Sequence, residues 1–101
     1  MNNLQDFKET LKLKQIPPGL SPYLRALWYD GKGDWQRGHD IIDHLGDRSS
    51  AHVHAYMHRK EGDLWNADYW YRRADLTRPN IPLEEEWEQL VTLFLYKLLF
   101  T

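Results

Sequence analysis

The dipeptide Gly62-Asp63 constrains this chain most. It separates two stretches with helical spacing. A glycine after Lys60-Glu61 can take the left-handed conformation that closes a helix C-terminus. Asp63 can then cap the next helix by accepting backbone N–H bonds. Beyond it Ala67, Tyr71 and Ala74 recur at spacings of 4 and 3, one face of a helix that Pro79 stops. Before it, Ser49 or Ser50 can cap a helix from His52 to Glu61. The spacing therefore predicts a helical hairpin over 52–79.

The same turn occurs earlier. Gly33-Asp34-Trp35 aligns with Gly62-Asp63-Leu64 at an offset of 29 residues. That offset carries Ala26 onto Ala55, Gly38 onto Ala67, Ile42 onto Tyr71 and Leu45 onto Ala74. Ser21-Pro22 starts a helix that runs to about Asp30, and Asp34 caps a second from Trp35 to Leu45. Two stacked hairpins follow, the first a degenerate copy of the second. A helix over 4–14, capped by Asn2 or Asn3, precedes them, and Pro17-Pro18-Gly19 breaks the chain between. After Pro82 a last helix begins, with Glu84, Glu85 and Glu86 at the positive end of its dipole. Trp87, Leu90, Val91, Phe94 and Leu98 form its stripe, and Leu93, Leu95, Tyr96, Leu99 and Phe100 make its other sides apolar. A helix apolar nearly all round is either buried under its neighbours or shared with another copy. The expected fold is all-α: about six helices in stacked antiparallel hairpins, with a flanking helix at each end, in a single domain over 1–101.

The positions Gly62, Ala67, Tyr71, Ala74 and Pro79 resemble those of the tetratricopeptide repeat, a helix–turn–helix unit of about 34 residues. Ala55 keeps the small residue of the repeat's first helix. His54 and His58 stand where the repeat has a large apolar residue and a tyrosine. The run from His54 to Tyr71 is also similar to a motif of uncharacterised microbial proteins, HAxxHRxEGDxxNAxYWYRR. The repeat-like resemblance implies a concave surface that holds a protein or peptide partner, and His52, Tyr56, Arg59 and Lys60 fall at its groove positions.

Composition narrows the function classes. The chain has 101 residues, 42% hydrophobic and 28% charged, with net charge −2. That balance suits a folded domain and argues against nonspecific nucleic-acid binding as its main role. There is no cysteine, so thiol chemistry and zinc ribbons are excluded, and a cytoplasmic location is expected. The N-terminus lacks a signal-peptide core. The run from Leu90 to Phe100 is too short to span a bilayer, so no membrane partner is expected. No cofactor-binding motif is present: neither a glycine-rich phosphate loop nor a nucleophile elbow occurs.

One polar cluster remains. His54, His58 and Glu61 share one side of a helix. Imidazoles at i, i+4 have metal-ligand spacing, and a carboxylate one turn on extends the set. The same spacing suits a buried polar network bonded to Tyr71, Asp40 or backbone carbonyls. It also suits a small-molecule pocket to which packing brings Asp40, His39 or Tyr71, with hydrolytic chemistry as one outcome. Arg72, Arg73 and Arg78 lie beside Tyr69 and Trp70, a mixture that can bind single-stranded nucleic acid. Here ion pairs with Asp68, Asp75 and Glu84–Glu86 are the expected arrangement. The leading functional expectation is a non-catalytic interaction module. The alternative is a metal or small-molecule site on the central hairpin.

Overall fold

The structure, a computed structural model, describes residues 2–99 and the side chains of residues 2–97. Among these residues there are six helices and no strand: α1 (Leu4–Thr10), α2 (Pro22–Gly31), α3 (Trp35–Ile42), α4 (Arg48–Glu61), α5 (Leu64–Arg73) and α6 (Leu83–Leu99). The fold is all-α, as the sequence pattern requires. None of these helices is long and apolar enough to cross a membrane.

The two hairpin turns are built alike. Gly33 and Gly62 have φ of 87° and 89°, a region in which a Cβ is strained. In the first turn the Asp34 N–H donates to Tyr29 O at 2.8 Å, and in the second the Asp63 N–H donates to His58 O at 3.0 Å. Asp34 and Asp63 then cap α3 and α5, accepting from the Arg37 and Asn66 N–H groups. Each hairpin closes on a small-residue contact, Gly38 near Ala26 in one, fully buried Ala55 and Ala67 in the other.

Several boundaries differ from the sequence expectation, each for a physical reason. Helix α1 ends at Thr10 rather than near residue 14. The Lys32 ammonium donates to the carbonyls of Leu11 and Leu13, both at 2.8 Å, and the N–H groups of Leu11, Lys12 and Leu13 bond only three residues back. Helix α4 starts at Arg48, because Asp47 rather than a serine caps it. The Asp47 carboxylate accepts from the Ser50 N–H, while the Ser50 hydroxyl turns back to donate to Asp47 O at 2.8 Å. Helix α5 stops at Arg73, well before Pro79, because Asp75 takes a left-handed φ of 64°.

Helix α4 lies at the centre, against α2, α3, α5 and α6. It buries Ser50, Ala51 and every residue from Val53 to His58. Helix α6 covers α1, α2 and α4, burying Trp87, Leu90, Val91, Phe94 and Leu95. Glu85, Gln89, Thr92 and Tyr96 face outward. The expected apolar positions at Leu98, Leu99 and Phe100 lie outside the described side chains. The Trp87 indole N–H donates to Leu27 O at 3.0 Å and fixes the start of α6.

The approach of α2 to α3 gives a direct test. A Cβ at Gly38 would stand 2.6 Å from the Ala26 carbonyl oxygen. Alanine is favoured over glycine in a helix by about 1 kcal/mol. Gly38→Ala is nonetheless expected to destabilise by about 1–3 kcal/mol, because backbone must move. A urea midpoint above that of the wild type contradicts the contact.

Candidate functional site

Three histidines meet where the two hairpins touch. His54 and His58, one turn apart on α4, have stacked rings with centroids 4.7 Å apart. Helix α3 brings His39 against both, with ring centroids 4.7 Å from His54 and 5.2 Å from His58. One ring nitrogen from each of the three lies within 4.8 Å of the others. His39 Nε2 and His54 Nε2 are 2.9 Å apart.

Two tryptophans wall this cluster. Trp35 stacks on His39 at 4.9 Å between centroids, and its indole N–H donates to Met57 O at 2.8 Å, which ties the ring to α4. Trp70 on α5 stacks on His54 at 4.0 Å. Neither tryptophan was among the expected site residues. Trp35 and His39 stand at i, i+4 on α3, and that spacing is the signal that places one ring beside the other.

Each histidine has its own carboxylate. Glu61 Oε1 is 2.8 Å from His58 Nδ1, Asp43 Oδ1 is 3.9 Å from His54 Nε2, and Asp40 Oδ1 is 3.8 Å from His39 Nδ1. Glu61 takes Nδ1 of His58, leaving its Nε2 toward the Asn66 amide at 3.4 Å. His39 Nδ1 is buried and has no hydrogen-bond partner.

Burial keeps one of the three rings in its neutral form. Burial, then the neighbouring His58 and His39, push the His54 pKa down to about 4. Its ring is therefore neutral at pH 7. Two rings that face each other through Nε2 must have one as donor and the other as acceptor. His39 then presents at Nδ1 either a buried lone pair or a buried N–H with no bond, which costs about 1–3 kcal/mol.

The other expected site residues divide. Asp40 is exposed and held by Gln36 at 2.8 Å. Tyr71 is not brought to the histidines. It points to the opposite side of α4, where its hydroxyl donates to the buried Glu86 at 2.5 Å. Arg59 joins it there, donating to Glu86 at 2.9 Å and to the Ile81 carbonyl. Tyr56 and Lys60 both donate to Asp30, at 2.6 and 2.9 Å. His52 is half-buried beside Tyr71 and Lys97, and burial followed by the Lys97 charge lowers its pKa to about 4. Tyr56, Arg59 and Lys60 are thus engaged by α2, α6 and the segment before α6. Of the three arginines, Arg78 pairs with Asp68 at 3.0 Å, whereas Arg73 lies over the rings of Tyr69 and Trp70.

A pH dependence follows from the buried imidazole. The folded-state pKa of His54, about 4, lies below the ordinary 6.5. Between these values the unfolded chain binds more protons, so stability is full above pH 6.5 and falls as pH drops toward 4. His54 alone should account for a loss of about 2 kcal/mol between pH 7 and pH 5. His54→Leu removes that share. Equal losses in wild type and His54→Leu, measured by urea unfolding at the two pH values, contradict the assignment.

The chain matches no family model, no curated protein and no solved structure.

Proposed function

We propose that the protein binds a divalent transition-metal ion of the zinc class through His39, His54 and His58. The observation that carries this reading is the convergence of three imidazole nitrogens, within 4.8 Å of one another, from two hairpins. Nitrogens around such an ion, each about 2.0–2.1 Å from it, stand about 3.3 Å apart in tetrahedral geometry. Only small side-chain adjustments separate the observed cluster from that arrangement. Imidazole ligands favour zinc, copper, nickel or iron over magnesium and calcium. Glu61 on His58 Nδ1 is the outer-shell carboxylate that fixes a ligating ring and raises its basicity. Three protein ligands leave a fourth position for water, an anion or the nearby Asp43.

A second reading, a protein-interaction module, is favoured by α5. Helix α5 packs mainly against α4, and its outer face carries Trp65, 79% exposed, with Tyr69, Arg72 and Arg73. Aromatic and arginine side chains of this kind dominate binding energy at protein interfaces. A partner would then dock on α5 instead of in a groove along α4. The absence of cysteine suits a cytoplasmic setting for either reading.

Thermal unfolding of chelator-treated protein tests the metal reading. A metal at about 100 times its Kd stabilises the folded state by about 2.7 kcal/mol. For a domain of this size that raises Tm by about 10–20 °C. Zinc, cobalt or nickel should give that rise, and magnesium and calcium should not. His54→Leu should keep the fold and lose the rise, as should His39→Leu. Absence of a shift with every transition metal contradicts the proposal and leaves the histidines as a polar core.

A further inference from the structure

A second feature lies away from the histidines, where α1, α2, α4 and α6 meet. Its floor is Asp30, which is 2% exposed. Asp30 stands in the last turn of α2, where negative charge meets the negative end of the helix dipole. Burial and this position are both costly surroundings for a charged group. It is held by the Tyr56 hydroxyl at 2.6 Å and the Lys60 ammonium at 2.9 Å. A buried ion group kept against such costs, and opening on a cleft, marks a binding site more readily than a device for stability.

The cleft above it encloses about 370 Å³, at the small end of the range for ligand pockets. Its lining carries charges of both signs. Lys60 and Lys8 supply two ammonium groups, and Asp30 and Glu84 supply two carboxylates. Its wall is apolar, from Trp87 and Leu11. Gly31 completes the wall. Its backbone is helical with negative φ, so the turn does not require glycine there. A Cβ at Gly31 would stand 3.1 Å from both a Leu11 methyl and the Trp87 ring. The missing side chain lets these two groups close over the end of α2.

We propose that this cleft binds a small zwitterion with an apolar body, of the size and chemistry of a free aliphatic α-amino acid. The carboxylate of the ligand meets Lys60 and Lys8. Its ammonium meets Glu84 and the edge of Asp30. Its hydrocarbon side chain lies on Trp87 and Leu11. The ligand thus exchanges partners with ion pairs already in place, Lys60 with Asp30 and Lys8 with Glu88, so binding is expected to be modest and sensitive to both charged ends.

Calorimetric titration of chelator-treated protein with L-leucine tests this. Leucinamide, which lacks the carboxylate, and 4-methylpentanoate, which lacks the ammonium, serve as paired controls. Leucine is expected to bind at least about tenfold more tightly than either analogue, a difference of about 1.4 kcal/mol. Lys60→Met should weaken leucine binding by a similar factor, and His54→Leu should leave it unchanged, which separates this cleft from the metal reading. No heat with millimolar leucine, or equal affinity for the three compounds, overturns the proposal. If Lys60→Met does not fold, the comparison of the three compounds on the wild type still decides.

Discussion

A helix surrounded on four sides has no solvent to accept its polar groups, and α4 is such a helix. Its sequence is nevertheless polar, with three histidines, a tyrosine, an arginine and a lysine between His52 and Lys60. Every one of these groups that is buried must find a partner within the protein or lose about 1–3 kcal/mol. The neighbours of α4 are arranged around that requirement. On one side His39 of α3 serves these groups, together with Glu61 at the end of α4 itself. Asp30 and Glu86 serve the opposite side. The buried carboxylates of α2 and α6 are thus explained by the phenol and cationic groups that α4 sends toward them.

The two sides differ in how well they are served. On the Glu86 side the carboxylate receives both Tyr71 and Arg59, and Arg59 also reaches a carbonyl. All of these groups are satisfied, and the interactions lock α6 across α4 and α5. On the histidine side His39 Nδ1 is left without a bond. That nitrogen is the one buried side-chain polar atom among the described residues with no such bond. An ion amid the three rings would take a lone pair from each, with the outward N–H of His58 held by Glu61. The incomplete side is therefore the one we assign to a metal ion.

Much of the fold was legible because backbone rules are local. Gly33 and Gly62, each followed by an aspartate, announced two turns, and the offset of 29 predicted their likeness. The end of α1 was less legible, since a distant group sets it: Lys32 reaches back to the carbonyls of Leu11 and Leu13. Of the site, His54 and His58 were readable from i, i+4 spacing. His39 was named only as a residue that packing could bring in, with Asp40 and Tyr71 named beside it. Nothing local distinguishes these three. His39 reaches the cluster because α3 meets α4 on that side, whereas Tyr71 lies on a face of α5 that looks toward α6. The offset also explains why the cluster occurs once. It carries His39 onto Asp68, while His54 and His58 correspond to Arg25 and Tyr29. Only the contact between the hairpins has imidazoles on both sides.

The central claim is that His39, His54 and His58 form one electron-donating set across the hairpin interface. Long-range ¹H–¹⁵N correlation spectra of the imidazoles, recorded at neutral pH with and without one equivalent of zinc, test it most directly. The His54 ring is expected to be neutral in the metal-free protein. On adding zinc, one nitrogen in each of these three rings should move to the metal-bound range, while His58 Nδ1 stays protonated toward Glu61. Histidine resonances that do not respond to zinc, or that respond only in His44 and His52, would contradict it.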